Sequence, residues 1–139
     1  MTAWISNGCT IAVGDGASPE VFTSIGEVMS IDGPNQSRAA VDTTNLGSTA
    51  KTFLAGIEDG GECTFEFHLD PADGAQDTAY TQFTAGTLKN WRIPLTATAP
   101  AETITFSAMV MNFNAPKVAI DQVINGAITL KVTGNTTWA

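Results

Sequence analysis

The chain has 139 residues, 43% hydrophobic but only 14% charged, against roughly 25% charged in ordinary soluble domains; that length suits one domain with a moderate core. Its net charge is −8, and its bases (Arg38, Lys51, Lys89, Arg92, Lys117, Lys131) are scattered singly, which excludes a basic groove for holding nucleic acid. Residues 1–37 carry no Lys or Arg, so no export leader is expected, and no apolar run nears the ~20 residues of a membrane span, so no membrane insertion is expected.

Residues 1–20 read as an N-terminal arm. Within it, "GDGASP" (14–19) lacks the Gly-Lys-Ser/Thr ending of a phosphate loop and is expected to be a turn. "EVMSID" (27–32) reads as a strand, "GPN" (33–35) as a turn, and "SRAAVDTT" (37–44) as an alternating strand with Arg38, Ala40 and Asp42 opposed to Ala39 and Val41. Residues 45–61 are expected to form a loop. It holds an apolar cluster, Phe53-Leu54-Ala55-Gly56-Ile57, followed by Glu58-Asp59-Gly60-Gly61, with small polar flanks expected to be flexible. "ECTFEFHLD" (62–70) is the clearest strand. Cys63, Phe65, Phe67 and Leu69 take one face, and Glu62, Thr64, Glu66, His68 and Asp70 the other.

A helix follows Asp70-Pro71. Asp73 three residues before Gln76 reads as a capping box, Ala79, Tyr80, Phe83 and Thr87 recur at helical spacing, and Gly86 is a stop. Three more strands are expected: "NWRIPLT" (90–96), "TITFSAMVMNF" (103–113) and "GAITLKVTG" (126–134), the last two facing the core with Ile104, Phe106, Ala108 and Val110 and with Ile128, Leu130 and Val132. The expectation is a mainly β chain: an antiparallel β-sandwich or partial barrel with one short α-helix, a single domain over 1–139. "VTGNTTWA" is read as lying just past the last strand.

Candidate chemistry is sparse. His68 has no serine in a nucleophile-elbow context. Glu62 and Glu66 share a strand face about 13 Å apart by strand rise, beyond either glycosidase spacing. Asp70, Asp73 and Asp77 lack the alternation of a calcium loop, and a strand end with a helix cap accounts for them. Cys9 and Cys63 have no metal spacing and are expected to be reduced thiols. No catalysis, cofactor or metal is expected. Trp4, Trp91 and Trp138 are far apart in sequence, and Trp91 reads as core, yet a monomeric carbohydrate-binding or adhesive β-sandwich remains an alternative.

The order of these pieces resembles the major tail tube proteins of long-tailed bacteriophages (siphophages). The resemblance runs over roughly residues 21–134: "IGEVMSIDGPNQSRAAVDTTNLGS", then "KTFLAGIEDGGECTFEFHLDP", the helix, and "ITFSAMVMNFNAPKVAIDQVINGAITLKVTG". It implies a structural virion protein whose hexameric rings stack into the hollow tail tube that conducts DNA during ejection, each subunit adding strands to a continuous inner barrel. Implied partners are other copies of the chain, tail tip or baseplate, terminator and tape-measure proteins, and DNA in passage. The implied location is the virion tail, after synthesis in the bacterial cytoplasm. Some members carry an immunoglobulin-like C-terminal domain, which is not expected here. With that resemblance, Lys51, Phe53, Leu54 and Ile57 in the 45–61 assembly loop are expected to contact neighbouring subunits, since an exposed apolar loop is a liability only until another copy covers it. Glu62, Glu66 and Asp42 are expected to line the lumen, where acids would repel passing phosphates.

Overall fold

The computed structural model describes residues 3–5, 8–95 and 101–139, with backbone alone for 115–117. Thr96, expected at the end of a strand, and residues 1, 2, 6 and 7 of the expected arm lie outside this set. In chain order the elements are β1 (Ala12–Gly14), β2 (Phe22–Ser24), β3 (Val28–Asp32), β4 (Ser37–Asp42), β5 (Phe53–Asp59), β6 (Glu62–His68), α1 (Gly74–Ala85), β7 (Lys89–Leu95), β8 (Glu102–Lys117) and β9 (Asn125–Trp138).

Period-two alternation produces the main layer. Seven strands pair in the order β2-β1-β7-β8-β9-β6-β3, antiparallel at every step. Their inward residues form one core that includes Phe65, Phe67, Trp91, Phe106, Ile128 and Leu130. The sheet is curled around it. β6 and β7 are three steps apart in the sheet, roughly 14 Å on the flat, yet the Phe65 and Trp91 ring centroids lie 6.1 Å apart. This is the expected partial barrel. It stays open at a seam where Val28 and Ile31 of β3 face Ile93 and Leu95 of β7 across a cavity of about 210 Å³.

Several expectations are corrected. Residues 1–20 are not all arm, because Ile11, Ala12 and Val13 are buried and β1 sits between β2 and β7. The chain's end is strand, not a tail past one: β9 runs to Trp138, pairing Thr105 with Thr137 and Ile104 with Trp138. Leu69 is partly exposed and falls outside β6. The capping box is half formed. Asp73 caps the helix by accepting from the Ala75 N–H (3.0 Å). Gln76 does not close the box. Its buried amide accepts from the Asp70 N–H (3.0 Å) and donates to the carbonyls of Gly26 (3.0 Å) and His68 (3.1 Å), fastening helix to sheet. Gly86 stops the helix in the left-handed region (φ 64°), where glycine carries no Cβ penalty. The helix lays Ala75 and Ala79 on the core, and Tyr80 meets Phe113 edge-on at 5.1 Å.

The largest departure concerns residues 45–61. β4 and β5 leave the main sheet and pair only with each other as a two-stranded ribbon. The expected loop is therefore half strand. Gly33–Asn35 is not a hairpin turn, since β3 pairs with β6 and β4 with β5. It carries the chain from one sheet to the other, and Gly60-Gly61 carries it back. Gly61 has φ 71°, and a Cβ there would run into the Asn35 carbonyl. A Cβ on Gly60 would run into Val132. Gly61 needs glycine because the two crossing segments touch there, and Gly60 because β9 passes against it.

Candidate assembly interface

The ribbon exposes what the core strands hide. Phe53, Leu54 and Ile57 are 54%, 63% and 92% exposed, and Val41 is also half exposed beside them. No face of β4 is covered. The apolar cluster does not fold back on its own core. A bulge interrupts the ladder between Arg38 and Ala40. There the Arg38 guanidinium donates to the Gly56 carbonyl (2.9 Å) and pairs with Glu58 (3.5 Å). Both side chains are solvated, so the ion pair is worth at most about 1 kcal/mol.

The tip, expected to be flexible, is a hydrogen-bonded turn. The Thr43 N–H donates to the Thr52 carbonyl (2.9 Å), the Thr52 N–H to Thr44 Oγ1 (2.9 Å), and the Ser48 N–H to the Asn45 carbonyl (3.0 Å). The small polar residues satisfy the turn's own backbone, as Asx and Thr side chains do in tight connections. Asp42 accepts from the Thr44 N–H (2.8 Å), and that bond together with the Thr44 hydroxyl holds its carboxyl below the usual range. Lys51 lies exposed at this tip beside β5.

Glu62 and Glu66 take the outer face of β6, opposite the buried Cys63, Phe65 and Phe67. Around them the outer face is polar. Glu62 lies across from Lys131, and Glu66 has Ser30 on one side and Ala127 on the other. Thr64 and Thr129 bring their hydroxyls within 3.4 Å. Asp42 is not brought to this face. It sits at the far end of the ribbon, in a different sheet, so the three acids do not form one patch. Neither arginine is left for these acids: Arg38 is engaged with Glu58, and Arg92 stacks over the Phe22 ring at 4.3 Å.

His68 Nδ1 lies 2.7 Å from Asn125 Oδ1, which occupies the single imidazole structurally. Among the described residues no cluster of His, Cys, Asp or Glu could hold a metal, and no helix is long and apolar enough to cross a membrane. Cys9 and Cys63 are free thiols. Trp91 is fully buried, which removes it from any sugar platform.

A second exposed apolar region was not singled out from the sequence. The β8–β9 connection presents Val118, Ile120 (91% exposed), Val123 and Ile124. The signal was there: four branched aliphatics around the Asp121-Gln122 pair, between the Pro116-Lys117 end of β8 and the Asn125-Gly126 start of β9.

The model for the family "Phage tail tube, TTP, lambda-like" matches residues 2–139. No curated protein matches the chain. Among solved structures, the tail of an empty gene transfer agent particle, determined with C6 symmetry, superposes with a TM-score of 0.77 at 15% identity, covering 97% of this chain and 99% of that one. The sheath/tube terminator structure of an extracellular contractile injection system gives 0.77 at 16% identity (100% and 98%). The SPP1 tail tube gives 0.74 at 8% identity (98% and 78%). At these identities the likeness establishes a shared fold, and the family assignment rests on the family model, which spans nearly the whole sequence. The chain belongs to the lambda-like phage tail tube protein family.

Proposed function

We propose that this chain polymerises as stacked hexameric rings into the hollow tail tube that conducts double-stranded DNA during ejection, as a structural subunit with no catalytic step and no cofactor. The β4–β5 ribbon carries the reading. It holds bulky apolar residues on a two-stranded unit that has no core of its own, and such a unit is marginal in water until something covers it. Full burial of a Leu or Phe side chain yields about 1.5–3 kcal/mol before ordering costs, and a ring and stack repeat that gain at every copy. Free edges support the same reading. β2 and β3 end the main sheet, and β4 and β5 each have one neighbour, so pairing with other copies removes the hazard that open edges create. A head-to-tail contact of this kind propagates into a filament.

In this reading Lys51, Phe53, Leu54 and Ile57 contact neighbouring copies, and Glu62 and Glu66 face the lumen. An acidic wall holds no phosphates by counterion release, so DNA passes without sticking. The tube is closed by tail tip or baseplate proteins at one end and a terminator at the other, encloses a tape-measure protein, and forms in the cytoplasm of the bacterial host before becoming part of the virion. Negative-stain electron microscopy of the concentrated purified protein tests this. Rings or tubes are expected. A strict monomer at millimolar concentration would overturn it, and sugar affinity in that monomer would favour the adhesive module.

A further inference from the structure

The ribbon is apolar on both faces, and one flat partner surface covers only one of them. Adjacent residues of a strand point to opposite sides. The register pairs Asp42 with Phe53 and Ala40 with Ala55, so these four share a face, continued at the root by the Arg38–Glu58 pair. Val41 pairs with Leu54 on the other face. In an unbroken strand Ile57 would fall on the Phe53 side. The bulge prevents this. Between the Ala40–Ala55 and Arg38–Glu58 pairs, β5 has two residues, Gly56 and Ile57, against the single Ala39 of β4. Both bulge residues lie toward the side of the residue they oppose, which places Ile57 with Val41 and Leu54. A Cβ on Gly56 would meet the Ala39 carbonyl at 2.9 Å, so glycine lets the bulge form.

The two faces therefore differ in chemistry. One carries three branched aliphatics, with no charge until Asp59 at its root. The other carries Phe53 and two alanines among Asp42, Arg38 and Glu58. By strand rise and spacing each face measures about 24 Å by 10 Å, well under the ~800 Å² per partner of a stable interface. Neither face alone is large enough to hold an isolated pair of copies, whereas a closed ring repeats one face's contact at every subunit and leaves the other face for a further copy. Only an assembly in which each ribbon is gripped from both sides, while its own subunit grips others, uses both.

We propose that the two faces bind two different copies of this chain. The Val41/Leu54/Ile57 face makes the contact within a ring, and the Phe53 face makes the contact between stacked rings. The division follows from polarity: obligate contacts are the more apolar, and later, weaker contacts the more polar. The proposal rests on the tube-forming reading above.

Leu54→Asp and Phe53→Asp test it, one on each face, with the wild-type chain alongside. Both variants should melt as the dilute wild-type monomer does, because the ribbon lies outside the core, and this separates misfolding from lost assembly. By sedimentation velocity and electron microscopy, Leu54→Asp should remain monomeric with complete loss of rings. Phe53→Asp should form rings that do not stack. Arrest of both variants at the same stage, tubes from either, or the reverse order of arrest would overturn the assignment. If the wild-type chain itself forms neither rings nor tubes, the tube-forming reading fails first and takes this one with it.

Discussion

β5 and β6 are successive strands of seven residues each, joined by two glycines, and both mix apolar side chains with acids. Their fates are opposite. β6 is hydrogen-bonded by β3 on one side and β9 on the other, and its Cys63, Phe65 and Phe67 are fully buried. β5 has one neighbour, β4, and its Phe53, Leu54 and Ile57 stand in solvent. The same currency of apolar surface stabilises the monomer in one strand and is left for other copies in the other. Burial depends on what lies across the sheet face, and the two glycine crossings decide that by moving β4 and β5 off the main sheet.

The sharpest way to break this comparison is to truncate one residue from each strand. Phe65→Ala should cost about 3–5 kcal/mol, as buried aromatic truncations do, read by urea unfolding followed through the adjacent Trp91. Ile57→Ala should change monomer stability by no more than about 0.5 kcal/mol. Equal costs would mean that the ribbon has an intrachain core after all.

The crossings themselves give the next largest effect. Gly61→Ala combines a left-handed backbone with a clash against the Asn35 carbonyl, and should cost about 2–3 kcal/mol. Gly86→Ala has a similar φ (64° against 71°) but open space around its Cβ, and should cost only about 1 kcal/mol. Parity of the two in denaturant titrations would show that conformation alone, and not the close crossing, governs the junction.

The outer face of β6 sharpens the comparison from the other side, since its acids lie outside the core. Glu62→Lys with Glu66→Lys should leave folding and tail assembly intact. Under the proposed reading it slows DNA exit, most at low salt, where screening is weakest. Failure to build tails, or normal ejection rates at low ionic strength, would move these residues out of the lumen.

The smallest effect is chemical. Burial pushes the Cys63 thiol up to about 12, with Asp32 adding to it. An unfolded thiol ionises near ~8.5. The thiol's contribution to stability is therefore fully present below that value and is lost as pH rises through 12. At neutral pH, alkylation of the native monomer should label Cys9 alone, and denatured protein should take two groups by intact mass. Labelling of Cys63 in the native state would mean that β6 opens as readily as the ribbon.

Most core strands were legible because alternation is a local signal. Ile104, Phe106, Ala108 and Val110 in β8 and Ile128, Leu130 and Val132 in β9 are buried as their spacing implied. The polar face of β6 was legible for the same reason. The ribbon was only half legible. Its apolar residues stood out, but Phe53-Leu54-Ala55-Gly56-Ile57 has no clean period, and the bulge that redistributes it depends on contact with Ala39. Asp42 was grouped with Glu62 and Glu66 by charge alone, which says nothing about which sheet a strand joins.

By itself the sequence determined the strong core strands and their buried faces, the helix and its ends, and, through the order of its segments, the family. Those features rest on local chemistry: side-chain period, caps, and residues that break or permit a backbone conformation. Only the tertiary structure decided that β3 pairs with β6 while β4 leaves with β5, that the sheet curls until Phe65 meets Trp91, and that the ribbon bears two unlike faces. Those outcomes are pairings between segments distant along the chain, and a strand's sequence specifies which residues share a face but not which strand, or which copy, will cover it.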